Sequence, residues 1–178
     1  MSIGKVVLAS SVALISLAAA TYCHLHSILN LHYDGVAHLN IARRILDHPV
    51  PHFSHLGTVW LPLHHLLLLP WVQNDFLWSR GLAGTFVSMP AFWLTCYFLF
   101  KLSVHLHGES MAGFFSVIAF ASNSNILYLQ STPLGEMLYV ALFLMSLSWL
   151  LKAAESSETS VFLVAIAIAL VLLICYDN

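Results

Sequence analysis

The chain has 178 residues, of which 60% are hydrophobic and 8% charged, with a mean hydropathy of +0.86. A soluble domain carries about 25% charged residues, so six Lys+Arg and eight Asp+Glu cannot coat a water-facing surface of this size. This excludes a soluble globular enzyme, a disordered chain and a fibrous one, and leaves an integral membrane protein. A net charge of -2 supplies no basic field for nucleic acid. Three dispersed Cys make neither a disulfide framework nor a Cys-based zinc module.

The expected fold is all-α: a polytopic bundle of about five transmembrane helices forming a single membrane domain over residues 1–178. The first span runs from Ile3 to Cys23. Its Lys5 and its Ala18-Ala19-Ala20 stretch also fit a cleavable signal, but the apolar run is long for one and further spans follow. The segment His24–Arg80 is a long outer loop holding nine of the eleven His. Within it, Gly35–His48 reads as an amphipathic helix: Leu39, Ile41, Ala42, Ile45 and Leu46 share an apolar arc that includes His38, while Asn40, Arg43, Arg44 and Asp47 face away. Such a helix lies in the membrane interface, and Pro49-Val50-Pro51 ends it. A second apolar stretch, Trp60–Val72, is too short to span and reads as another interfacial or re-entrant helix, with Trp60, Trp71 and Trp78 as anchors. The remaining spans are Gly81–Leu102, Met111–Leu129, Pro133–Leu151 and Val161–Tyr176.

Charge sets the orientation. If Trp60–Val72 does not cross, then Lys5, the Lys101–His107 loop and the Lys152–Ser160 loop share one side, the cytoplasm. The expected localisation is a multi-pass plasma (inner) membrane protein with a cytoplasmic N-terminus. Three acids, Asp34, Glu136 and Asp177, then sit at the outer ends of spans.

Asp34 has two compatible readings. It can cap the first loop helix by accepting from free backbone N–H groups, and it can be a catalytic carboxylate at the mouth of a membrane cavity. Thr132 reads as the N-cap and Pro133 as the first residue of a helix. Glu136 then favours the helix dipole, yet an ionisable group at a span mouth is also a functional candidate. Asp177 reads more simply as a juxtamembrane acid. Among the His, His52-x-x-His55 and His64-His65 have ligand-like spacing, which makes His52 and His55 weak metal candidates. His64 and His65 diverge by about 100° on a helix, so they do not readily share an ion. No cofactor is expected beyond a possible divalent metal, and haem is disfavoured because the spans carry essentially no His.

Tyr33-Asp34-Gly35-Val36-Ala37-His38-Leu39-Asn40-Ile41-Ala42-Arg43-Arg44-Ile45 resembles the first-loop motif of membrane-embedded GT-C glycosyltransferases, of the dolichyl-phosphate-mannose protein mannosyltransferase and aminoarabinose transferase type. Leu56-Gly57-Thr58-Val59-Trp60-Leu61-Pro62-Leu63-His64 resembles their second loop helix. Ser131-Thr132-Pro133-Leu134-Gly135-Glu136 resembles their second acidic motif, and Cys175-Tyr176-Asp177-Asn178 a degraded Arg-Tyr-Glu/Asp-Gly stretch. The resemblance implies a polyprenyl-phosphate sugar donor, an acceptor on the outer face and Asp34 as catalytic base. Glu136 would position the acceptor or an Arg. Arg43, Arg44, His38 and Asp177 become substrate-binding candidates, Arg43 and Arg44 by pairing with the lipid phosphate. The two arginines equally suit interface anchoring. Many relatives carry Asp-Glu where this chain has Asp34-Gly35. Family members have about eleven or more spans, so the resemblance also implies an N-terminal portion, with the missing spans supplied by a second chain or lost. The rival is a non-enzymatic, His-rich membrane protein that binds metal or assists assembly. A transporter fragment is disfavoured, because charge is confined to loops and span ends.

Overall fold

In the computed structural model, the described residues are 3–50, 60 and 62–155, and all their regular structure is helical. The elements are α1 (Ile3–Leu25), α2 (Tyr33–Asp47), α3 (Pro62–Val72), α4 (Asp75–Ser79), α5 (Leu82–His107), α6 (Ser110–Ala121), α7 (Ser124–Leu129) and α8 (Glu136–Glu155). Among the described residues, three stretches are long and apolar enough to cross a membrane: Ile3–Leu25, Leu82–His107 and Glu136–Ala153. They take up the expected spans Ile3–Cys23, Gly81–Leu102 and Pro133–Leu151. The expected Val161–Tyr176 span lies outside the described residues.

The boundaries have local causes. Pro62 opens α3, where its missing N–H is no loss. Asn74 caps α4 by accepting from the Phe76 and Leu77 amides at 3.0 and 3.2 Å. Gly108, at φ +74°, closes α5 in the left-handed conformation that glycine adopts freely. Two expectations fail. Met111–Leu129 is not one continuous helix: Asn123 accepts from the Asn125 and Ile126 amides and starts α7 after α6 has ended at Ala121. A polar Ser122-Asn123 doublet thus breaks an otherwise apolar run. And α8 begins at Glu136, not Pro133, because the residues before it are bonded to other helices.

α5 is the central element, packing most extensively on α8 and α6. One core gathers Val12, Phe92, Cys96, Val117, Met137 and Ala141 where α1, α5, α6 and α8 meet. The other joins Leu39, Ala42, Leu68, Val72, Ala83 and Val87 from α2, α3 and α5. α2 and α3 therefore dock on the first turns of α5.

Gly84, on α5, lies against the segment before α8 so closely that an added Cβ would overlap the Pro133 backbone. Ala normally favours a helix over Gly by about 0.5–1 kcal/mol, but overpacking costs about 1–3 kcal/mol and backbone cannot move aside as a flexible side chain can. Gly84→Ala is therefore expected to lower the thermal unfolding midpoint of the detergent-solubilised protein. An unchanged or raised midpoint would show that this contact is looser than described.

Candidate functional site

Between α7 and α8 the chain leaves helical geometry, yet Gln130, Ser131, Thr132 and Leu134 are buried. Buried backbone groups outside a helix need other partners, and here side chains supply them. Thr85 Oγ1 donates to the Ser131 carbonyl. Ser88 Oγ lies 2.8 Å from the Thr132 carbonyl and 3.2 Å from that of Leu134. His64 Nε2 donates to the Pro133 carbonyl at 2.9 Å. Gln130 is tied to α1, accepting from Ser16 Oγ at 2.8 Å and donating to the Ser16 carbonyl at 3.1 Å. Thr132 Oγ1 turns back to the Leu129 carbonyl at 3.0 Å. Thr132 and Pro133 thus belong to this buried connection rather than to the start of α8.

The connection brings the starts of α2 and α8 together. A Cβ on Gly35 would lie 3.0 Å from Pro133 Cγ and 3.7 Å from Leu134 Cδ2, so the first turn of α2 rests on the residues leading into Glu136. Asp34 precedes Gly35 and is exposed, as is Glu136. Each acid occupies the first turn of its helix, where the dipole favours negative charge. Asp34 is not the cap, however. The N-cap position is His32, whose side chain makes no capping bond, which leaves the Asp34 carboxyl inside the helical turn.

The substrate-binding candidates are placed differently. Arg43 is committed to the protein: its guanidinium contacts Asp47 at 3.0 Å, the Val72 carbonyl at 2.6 Å and Asp75 at 2.7 Å, and lies 5.1 Å from the centre of the Trp78 ring. It clasps the ends of α2 and α3 to α4, and its bond to Asp47 is the main reason its pKa stands above the ordinary arginine value. Arg44 is exposed. Asp177, His52 and His55 lie outside the described residues.

His38 is buried in a cluster that the sequence did not reveal. His38 Nδ1 and His65 Nε2 are 2.9 Å apart. The His38 ring centre is 4.9 Å from that of His64 and 4.6 Å from Trp60. His64 and His65 do diverge on α3, but His38 stands between them and meets both. The one available signal was the placement of His38 in the apolar arc of its helix. Since a carbonyl can only accept, His64 carries its proton on Nε2, and its Nδ1 is buried without a hydrogen-bond partner among the described residues. Burial holds both imidazoles neutral. The His38 pKa falls from 6.5 to about 3, through burial first and then the neighbouring His64 and His65. Burial lowers that of His64 to about 4, against the bond to Pro133. Among the described residues, no group of three His, Cys, Asp or Glu side chains is arranged to hold a metal ion; His38 and His65 bond to each other instead of converging on a shared point.

Comparison with family models, with curated proteins and with solved structures finds no match for the chain.

The buried histidines set a pH dependence. Above pH 6.5 they are neutral in the folded and the unfolded chain, and the packing is at full strength. As pH falls below 6.5, the unfolded chain takes up protons that the folded chain refuses until about pH 4 for His64 and about 3 for His38. Stability is therefore lost on acidification through this window, by up to about 1.4 kcal/mol per pH unit for each group. Thermal unfolding followed from neutral pH to about pH 5, above most carboxylate titration, should show this slope. His64→Gln places an amide donor near Nε2 without a titrating ring and should flatten the slope; an unchanged slope would contradict this assignment.

Proposed function

We propose that the chain is a membrane-embedded glycosyltransferase, or the N-terminal part of one, that moves a sugar from a polyprenyl-phosphate donor to an acceptor on the outer face of the plasma (inner) membrane. The observation that carries this reading is the packing of Gly35 on Pro133 and Leu134. Through it, two exposed acids from distant parts of the sequence, Asp34 and Glu136, come from neighbouring helix starts. The GT-C resemblance assigns roles to the same two residues. Helix α8 separates Glu136 at its start from Lys152 in its last turn, and Lys152 lines one cavity together with Lys5 and Lys101. Lys5, Lys101 and Lys152 at one end agree with a cytoplasmic N-terminus, while Arg43, Arg44 and Arg80 fall on the other side against the rule, Arg43 and Arg44 within a long segment where the rule is weaker. In this topology of about five spans, α2 and α3 lie along the outer interface.

In the proposed reaction the acceptor hydroxyl oxygen attacks the anomeric carbon of the donor sugar. The bond from that carbon to the lipid phosphate oxygen breaks, and the phosphate leaves with the electron pair. Asp34 takes the hydroxyl proton as general base, and Glu136 orients the acceptor. Inversion at the anomeric carbon is implied by the resemblance. The buried His38–His64–His65 cluster supports the α2–α3 platform beneath Asp34.

The test uses membranes containing the full chain and radiolabelled polyprenyl-phosphate mannose, glucose or aminoarabinose. One of these donors should support transfer to endogenous acceptor. Asp34→Ala should reduce that transfer by about a hundred-fold or more, the range of general-base catalysis, with membrane insertion unchanged. Transfer unaffected by Asp34→Ala would overturn the assignment.

A further inference from the structure

A second feature lies at the end of the bundle away from Asp34 and Glu136. A cavity of about 580 Å³ opens between α1, α5 and α6, with Lys5 and Lys101 at its rim and Leu8, Val12, Trp93 and Val117 in its wall. The lysines are held over aromatic rings: Lys5 Nζ is 5.5 Å from the centre of Phe100, and Lys101 Nζ is 5.1 Å from that of Tyr97 and donates to its hydroxyl at 3.3 Å. An adjoining cavity of about 380 Å³ shares both lysines and adds His105 and Lys152. Among the described residues, no carboxylate lines either cavity.

The groove is polarised from one end to the other. From Lys5 to Val12 on α1, and from Lys101 to Trp93 on α5, it runs about 10–12 Å at 1.5 Å per residue. Two ammonium groups sit at one end and the rest of its length is apolar. Both walls belong to helices long enough to cross a membrane, and Trp93 and Tyr97 are exposed on the outer side, so the groove faces the surrounding lipid sideways. A charged mouth of one sign above an apolar trough complements an amphiphile with an anionic head and a hydrocarbon tail, aligned with the helices.

We propose that this groove binds an anionic glycerophospholipid, its phosphate seated between Lys5 and Lys101 and one acyl chain lying along Leu8, Val12 and Trp93. The site is separate from the transfer site, and its lipid is a bound companion rather than a sugar donor. Interfacial anchoring by snorkelling lysines also favours anionic lipid but predicts no dependence on the apolar trough, and a bare phosphate site predicts no need for the tail.

Native mass spectrometry of the full chain in mild detergent separates these outcomes. Titrated with dioleoyl phosphatidylglycerol and dioleoyl phosphatidylcholine, the protein should bind the anionic lipid about thirty-fold more tightly, as two lysines acting at an anionic headgroup would give. Lys5→Gln/Lys101→Gln should abolish the preference, while Lys5→Arg/Lys101→Arg retains it and serves if the neutral pair fails to fold. Ala13 also lines the trough, so Ala13→Trp fills it and should weaken binding of both lipids. Inorganic phosphate in millimolar excess should not displace phosphatidylglycerol. Equal binding of the two lipids, a preference that survives the glutamine substitutions, binding unchanged by Ala13→Trp, or displacement by inorganic phosphate would each overturn the proposal.

Discussion

A stretch of non-helical backbone buried among helices is the constraint on which the rest of this molecule depends. Where water is excluded, a carbonyl without a donor costs several kcal/mol, so residues 130–134 are tolerable only where other elements reach them. Thr85 and Ser88 reach them from α5, Ser16 from α1 and His64 from α3. Gly84 leaves room for their backbone. The segment lies beside Ser16, about 13 Å inside the end of α1 by helical rise, so it folds into the bundle rather than passing over it. One polar connection thereby fixes three helices, α1, α3 and α5, relative to one another. It also determines where α8 begins, and so where Glu136 stands.

The excess of histidine has a physical reading in the same terms. Only six Lys+Arg serve the whole chain, and an ammonium or guanidinium would be expensive in the junction of α2, α3 and residues 130–134. A neutral imidazole is a polar group that can be buried if its hydrogen bonds are met. His64 uses its N–H on Pro133, and His38 and His65 use each other. Arg43 makes the opposite choice at the rim, where its charge meets two carboxylates and a carbonyl.

Much of this was legible in the sequence, and the failures share a cause. Long apolar runs marked α1, α5 and α8, and the length of Trp60–Val72 marked a helix too short to span. Ser122-Asn123 broke a run that hydropathy alone made continuous, because an Asn side chain can satisfy the next helix's first amides as well as a preceding turn can. Thr132-Pro133 has the composition of a helix start, yet its hydrogen bonds go to α5, α3 and the preceding turn, which no local pattern reports. Asp34 has the composition of a cap but lies two residues past the cap position. In each case a tertiary or neighbouring hydrogen bond outweighed local preference. The acids themselves were identifiable by residue type and position. The contact between Gly35 and Pro133 was not, since nothing in either segment encodes the other.

The central claim is that the buried connection brings the start of α2, which carries Asp34, onto the residues leading into Glu136 and leaves Lys152 at the far end of α8. Pulsed electron paramagnetic resonance on spin-labelled full chain in lipid nanodiscs, with the native cysteines replaced, reads this directly. The account predicts that labels at positions 34 and 136 are close and that labels at 34 and 152 are longer apart by most of the rise of sixteen helical residues, about 24 Å. Equal distances for the two pairs, or a longer one for 34 and 136, would contradict it.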